Sequence, residues 1–183
     1  MGDPKKKHKR YTTPKRPYDS ANLEEELRLI GTYGLRNKKE LWRHRTELST
    51  LRRRAREMLS MGATDRLQPQ EELIAKLHDL GLIEEGASLD DILTLSIRDL
   101  MERRLQTVVF REGMTKSLFQ ARQIITHGHI AIDNQKVKSP SYMITIEDEE
   151  KLDYAESSPF SSKTHPLRQD LIVAEDVEAE PVE

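Results

Sequence analysis

Residues 118–132, LFQARQIITHGHIAI, change their hydrophobic period across a single glycine. Before Gly128, the residues Leu118, Ala121, Ile124 and Ile125 fall on one helical stripe. After it, Ile130 and Ile132 alternate with His129 and Ala131, which are predicted to face outward. Glycine is the usual residue for the left-handed turn that ends a helix, so the helix is predicted to stop at Gly128 and lead directly into a strand. Asp133 and Asn134 then read as a turn. The chain returns with Lys136 and Lys138 on either side of Val137, and a further strand is expected over residues 142–146. A helix on a small antiparallel sheet is the local fold this pattern demands. The stop itself is crowded with hydrogen-bonding side chains, for Arg122, Gln123, Thr126, His127 and His129 surround one glycine. A solvated turn needs no such set.

The preceding segment supplies a second helix. Ile97, Met101, Leu105 and Val108 make an apolar face, with Arg103, Gln106, Thr107 and Phe110 projecting from the other side. FREGMTKS turns the chain, and Thr115 is the expected cap of the next helix. That helix carries Lys116, Phe119, Gln120, Arg122, Gln123 and Thr126 on the arc opposite its core stripe. Two helices therefore face each other with their polar arcs exposed.

Residues further upstream read as helices. A short one starts behind Ser20 and ends at Gly31 and Gly34. A longer one runs over about residues 37–61, with Leu41, Leu48, Leu51, Ala55, Met58 and Leu59 as its core stripe. Its opposite face is basic: Lys38, Arg45, Arg52 and Arg56 align, Arg53 lies beside them, and Glu40, Glu47 and Glu57 are too few to neutralise the row. Like charges accumulating on one face point to a polyanionic partner. Trp42 falls on this basic side, either as a stacking platform for a base or as a dock for another segment of the chain. A third helix is predicted with Pro69 near its first turn and Gly81 after its last, burying Leu73, Ile74, Leu77 and Leu80. Ser88 with Asp91 and Ser96 with Asp99 then give two successive capping patterns.

Charge is segregated along the chain. Lys5, Lys6, Lys7, Lys9, Arg10, Lys15 and Arg16 stand against Asp3 and Asp19 at the start, where Tyr11 and Tyr18 add stacking capacity. At the far end Arg168 stands against Asp170, Glu175, Asp176, Glu178, Glu180 and Glu183, so the overall net charge of -2 hides a basic arm and an acidic tail. No apolar run approaches a membrane span, and the basic N-terminus lacks the hydrophobic stretch of a signal peptide, so a soluble intracellular protein is expected. With no cysteine there is neither a disulfide framework nor a thiolate metal site. No phosphate-cradling glycine loop, metal-ligand spacing or nucleophile and base pair is visible, so no catalysis, metal or cofactor is expected.

RRLQTVVFREGMTKSLFQARQIITHGHIAIDNQKVKSPSYMITIEDEE resembles the RNA-binding module named after ribosomal protein S-four, with its arginine-leucine helix, hydroxyl-bearing turn, AR helix, glycine and short hairpin. The likeness covers residues 99 to about 160. The helices before it and the MGDPKK opening resemble the archaeal and eukaryotic branch of that ribosomal family. The module commonly carries Asn-Gly at its hairpin turn, where this chain has Asp133-Asn134-Gln135. The cysteine cluster of many bacterial relatives is missing, so zinc is not expected.

The resemblance implies an α+β fold: a mostly helical N-terminal domain, then a small RNA-binding module of two helices plus a short antiparallel sheet. Residues 1–19 would be a basic extended arm, 20–95 the helical domain, 96–166 the module and 167–183 an acidic disordered tail. It also implies a structural constituent of the small ribosomal subunit in the cytoplasm. Such a protein would bind small-subunit rRNA, nucleate assembly of the subunit body, and contribute to mRNA entry and translational accuracy beside a protein of the S-five family. Neither a membrane nor a small-molecule substrate is expected. Two other classes share the module, subunit-associated stress factors and RNA-modifying enzymes, the latter needing a large catalytic domain that these residues do not provide.

Expected RNA contacts within the module are Arg103, Arg104, Gln106, Thr107, Arg111, Lys116, Ser117, Gln120, Arg122, Gln123, Thr126, Asn134, Lys136 and Lys138. Arg103 and Arg122 suit bidentate phosphate binding, while Lys116, Lys136 and Lys138 supply point charge. His127 and His129 either join them or meet the terminal carbonyls of their helix. Outside the module, Lys5, Lys6, Lys7, Lys9 and Arg10 of the arm and Lys38, Trp42, Arg45, Arg52, Arg53 and Arg56 of the long helix are further expected contacts.

Overall fold

Asn37 shows how directly local chemistry sets this architecture: its side-chain oxygen accepts the Glu40 N–H at 3.2 Å and starts the longest helix. The computed structural model describes residues 8–162 together with His165, Pro166 and Arg168. Lys5, Lys6, Lys7 and most of the acidic tail lie outside the described residues.

The described chain forms two compact units. One holds the residues up to Glu72 together with Ser88–Leu100, and the other Leu73–Ala87 with the residues from Met101 onward. The first contains α1 (Ser20–Thr32), α2 (Lys38–Leu59) and α4 (Leu89–Thr94). α3 (Ala63–Asp79) and α5 (Ile97–Glu102) are the elements within which the chain passes from one unit to the other. The second unit contains α6 (Leu105–Arg111), α7 (Leu118–His127), β1 (Ile130–Ile132), β2 (Gln135–Lys136), α8 (Ile146–Glu150), β3 (Leu152–Tyr154) and a 3-10 turn at Pro159–Ser161.

In the first unit the stripe of α2 is buried at Leu41, Leu48 and Ala55, while Leu51 and Met58 are half-buried and Leu59 is exposed. His44 is buried with them, its Nδ1 2.9 Å from Glu47 Oε2. α3 begins six residues before the expected proline, which places Pro69 inside the helix, where it has no N–H for the carbonyl of Asp65. Asp91 accepts from the Ser88 N–H at 2.7 Å, and Asp99 accepts from the Ser96 N–H at 2.7 Å, the two capping patterns seen in sequence. The backbone bond from Ser88, followed by its hydroxyl, holds the Asp91 carboxyl below its ordinary pKa of 3.8.

In the second unit Leu105, Val108 and Val109 of α6 pack with Ala121, Ile124 and Ile125 of α7, and with Ile130, Ile132, Ile144 and Tyr154. The sheet has the order β2-β1-β3 and is antiparallel throughout, with Ala131 opposite both Lys136 and Asp153. Ala131 is buried, contrary to the outward position expected from alternation, so β1 is covered on both faces.

Two further expectations are corrected. The helix expected to run unbroken from Ile97 through Val108 is interrupted at Arg103 and Arg104, where Arg104 is extended. The strand expected over 142–146 is absent, and the third strand is β3. Both differences have one cause. Leu105 N–H donates to the Tyr142 carbonyl at 2.8 Å and Ile144 N–H to the Arg103 carbonyl at 3.0 Å, so the helix break and residues 142–144 satisfy each other. Only one ladder pair, Arg104 with Met143, results. Thr145 then accepts the Asp148 N–H at 3.1 Å and starts α8.

Candidate nucleic-acid interface

The candidate interface lies on α7 and the hairpin that follows it. Ser117, not Thr115, caps α7, accepting the Gln120 N–H at 3.3 Å. Thr115 is buried one step earlier and donates to the Ser117 carbonyl at 3.3 Å. At the other end Gly128 has φ 76° and ψ 35°, the left-handed conformation predicted for it. Its N–H bonds to the Ile125 carbonyl at 2.9 Å and the His129 N–H to the Ile124 carbonyl at 3.0 Å, the paired bonds of a Schellman turn. The turn reverses the chain within two residues, so His127 and His129 lie with rings 6.3 Å apart and nearly parallel at 29°.

The hairpin turn uses left-handed conformations twice, at Asp133 (φ 47°) and Asn134 (φ 63°). Two consecutive positive φ angles are those of a type I′ turn, the tight connection whose twist matches paired strands, and Asp and Asn tolerate them better than other side chains. The replacement of the common Asn-Gly pair therefore keeps a two-residue turn. Asn134, Lys136 and Lys138 are exposed on this hairpin. The Lys138 stem runs past Gly128, where an added Cβ would meet its Cε at 3.0 Å. Neither Lys136 nor Lys138 has an ion-pair partner among the described residues.

Arg122 is half-buried on α7, and its Nη1 donates to Gln106 Oε1 at 3.4 Å. Gln106 is wholly buried and also donates through Nε2 to the Leu118 carbonyl at 2.9 Å, so it links α6, α7 and the guanidinium. Lys116, Ser117, Gln123, Thr126 and His127 are exposed along the same helix, and Gln120 is half-buried. Thr126 returns its hydroxyl to the carbonyls of Arg122 and Gln123 at 3.0 Å each.

Four expected contacts stand elsewhere. Arg104, Gln106 and Thr107 lie in the interior, and the outward projection expected of Gln106 and Thr107 is corrected. The helix break turns their side chains inward, where Thr107 donates to the Met101 carbonyl at 2.8 Å. Arg103 is mostly buried against α8, with Nη2 2.8 Å from Glu149 Oε2 and 3.4 Å from the Ile144 carbonyl. These groups fix the shape of the surface from behind. Arg111 is exposed and shares a loose ion pair with Glu102 at 3.3 Å, weak enough to be exchanged for a phosphate.

In the first unit, two cations of the basic row of α2 are neutralised by α1. Lys38 lies 3.3 Å and Arg45 3.4 Å from the carboxylate of Glu26, a residue only 3% exposed. The neutralising carboxylate comes from a different helix, which a count of charges within α2 does not register. Arg53 pairs with Glu57 at 2.7 Å, and Arg52 donates to the Leu95 carbonyl at 2.5 Å. Arg56 is exposed with no ion pair among the described residues. Trp42 is half-buried, donates through Nε1 to Glu26 Oε1 at 2.9 Å, and meets the Tyr11 ring at 6.0 Å. The indole is thus docked by another segment of its own chain. Lys9 lies 4.6 Å from the centre of the Tyr11 ring, while Arg10 is exposed.

Phe119, placed by the sequence on the outward arc but not among the expected contacts, stands 69% exposed in the first turn of α7. One feature escaped the residue pattern. Phe160 and Ser158 meet His129 from a segment about thirty residues away. Phe160 sits edge-on at 4.8 Å and Ser158 Oγ lies 3.0 Å from His129 Nδ1. No periodicity could have paired them. Among the described residues no group of three or more His, Cys, Asp or Glu side chains could hold a metal ion, and no helix is long and apolar enough to cross a membrane.

A capped helix ending at a left-handed glycine, followed by a cationic hairpin, is the arrangement of an S4-domain protein, and the family model described as S4 domain matches residues 103–150. The small ribosomal subunit protein uS4 of Ignicoccus hospitalis is 48% identical over 163 residues, covering 89% of this chain and 98% of that protein. Those of Hyperthermus butylicus (44% over 163 residues, 89% and 93% covered) and Thermoplasma acidophilum (41% over 175 residues, 94% and 88% covered) are also similar. The chain belongs to the uS4 family of small ribosomal subunit proteins, which are structural ribosomal proteins and not enzymes.

Proposed function

We propose that the chain, as a constituent of the small ribosomal subunit in the cytoplasm, binds small-subunit rRNA directly through the exposed edge formed by α7 and its hairpin. The observation that carries this reading is the cationic set of Arg122 on α7 and Lys136 and Lys138 on the hairpin, with Lys116 at the start of α7, two of them without an ion pair among the described residues. RNA helices present phosphates and 2′-hydroxyls on a shape that varies little with sequence, so a rigid surface rich in donors is the matching receptor. Packed helices and a two-residue turn supply that rigidity, and Thr126 and Asn134 add groups suited to sugar oxygens. The exposed cations Arg10, Arg56 and Arg111 suit further phosphates. Nucleation of the subunit body, proximity to the mRNA entry, a part in translational accuracy and an S-five family neighbour extend the same reading, and they rest on membership of the uS4 family.

Salt titration of binding to small-subunit rRNA tests it. Each phosphate neutralised should add about -0.7 to -0.9 to the slope of log affinity against log salt. Arg122→Ala should weaken binding and make that slope shallower by one such step. Arg103→Ala should leave the slope unchanged and lower stability by about 2 kcal/mol through loss of a charged hydrogen bond. An unchanged slope in Arg122→Ala, or a shallower one in Arg103→Ala, would reverse the assignment of surface and support.

A further inference from the structure

Beside the Gly128 turn is a cavity of about 290 Å³ lined by Gln120, Gln123, Ile124, His127, His129 and Phe160. Four of these residues fall at positions i, i+3, i+4 and i+7 of α7, a spacing that in most helices marks a stripe packed against the core. Here Ile124 forms the buried floor, while Gln120, Gln123 and His127 border open space. Its volume lies at the lower limit of ligand pockets, suited to a single flat ring system and not to a large molecule.

The chemistry of the lining is specific. None of the six residues is Lys or Arg, so a phosphate would find no cation among them, although Lys116, Arg122 and Lys136 are near in sequence. Burial first, then the charges of His127 and Lys136, push His129 below its ordinary pKa of 6.5, which keeps it neutral at physiological pH. The walls are π surfaces: His127 and His129 are nearly parallel, and Phe160 meets His129 edge-on at 4.8 Å. The lining also carries two amides. Gln120 Oε1 accepts the Lys116 N–H at 2.9 Å, which turns its Nε2 donor away from that bond, and the Gln123 side chain bonds to no described residue. Flat π surfaces together with unused amide donors and acceptors match a nucleobase, which presents a ring face and a hydrogen-bonding edge.

We infer that this cavity receives one unstacked base of the bound RNA, stacked against the imidazoles and read along its edge by Gln120 and Gln123. The inference rests on the rRNA binding proposed above and adds to it a base contact where the surrounding cations supply only phosphate contacts. Ser158 is a positioning residue here, because its Oγ accepts the Phe160 N–H at 3.2 Å and holds His129 Nδ1 at 3.0 Å.

The test uses the full chain with small-subunit rRNA, and base-selective reagents that modify exposed Watson–Crick edges. The double variant Gln123→Ala, His127→Ala changes two exposed side chains and leaves the core intact. It should bind about tenfold more weakly, within the range of a lost stacking contact. One unpaired nucleotide protected by the wild-type chain should become reactive, while the salt slope stays the same. Unchanged affinity with every protection retained would overturn the base pocket and leave rRNA binding standing. A shallower salt slope would make these residues phosphate contacts and overturn it equally. If the wild-type chain failed to bind the rRNA, both readings would fall together.

Discussion

Replacing Gly128 by alanine should destabilise the S4-domain unit while leaving its core untouched. At φ 76° an L side chain encounters its own backbone, at a cost of about 1–2 kcal/mol. The new Cβ would also stand 3.0 Å from Lys138 Cε. That atom is near the end of a flexible side chain and can swing away, so the contact adds little energy but displaces a proposed phosphate ligand. Alanine restricts the unfolded chain more than glycine does, which returns about 0.4–1 kcal/mol. The net loss is then about 1 kcal/mol, accompanied by weaker rRNA binding. Urea unfolding followed by far-ultraviolet circular dichroism is the suitable assay, because Trp42 belongs to the other unit and its fluorescence reports there. Gly31 supplies the contrast: it lies in the last turn of α1 with nothing within 4 Å of an added Cβ, so Gly31→Ala should stabilise by up to about 1 kcal/mol. Equal or greater stability of Gly128→Ala would refute the argument from the left-handed turn.

Asn134→Val should cost about 1–2 kcal/mol, because φ 63° is unfavourable for a branched side chain, whereas Asn134→Gly should be neutral or stabilising; urea midpoints of the two variants check the difference. Trp42 should resist iodide quenching in free protein, and Trp42→Phe should lower stability by about 1.5–3 kcal/mol through loss of its bond to the buried Glu26 carboxylate. His129 should titrate below pH 6.5 in a proton NMR series. Its folded-state pKa is depressed, so the unfolded chain binds the proton more readily, and stability should fall as pH drops from 6.5 through the folded value. His129→Asn should flatten that dependence.

What could be read from the sequence was local. The stripe of Ala121, Ile124 and Ile125, the left-handed Gly128, the start of the long helix near Asn37 and the carboxylate caps at Asp91 and Asp99 each depend on residues within one or two turns. What could not be read was decided by pairings across tens of residues. The α5–α6 break exists because residues 142–144 satisfy the backbone of 103–105, and Arg104 is buried by that same junction. One overlooked local signal was present, since Thr145 and Asp148 carry the spacing of a helix cap and mark the end of the expected strand. The basic face of α2 was recognised as a pattern, but its charge balance depended on Glu26 of α1. The hairpin cations and the exposed arc of α7 were legible because solvent-facing residues answer to periodicity alone.

Crosslinking of the chain to rRNA in purified small subunits, with residues identified by mass spectrometry, tests the proposed binding surface most directly. Adducts should concentrate on α7 and the hairpin, at Lys116, Phe119, Gln123, His127, Lys136 and Lys138, and should spare the buried Arg104 and Gln106. Adducts confined to the N-terminal helices, with none on α7 or the hairpin, would contradict an RNA-binding surface built around the Gly128 turn.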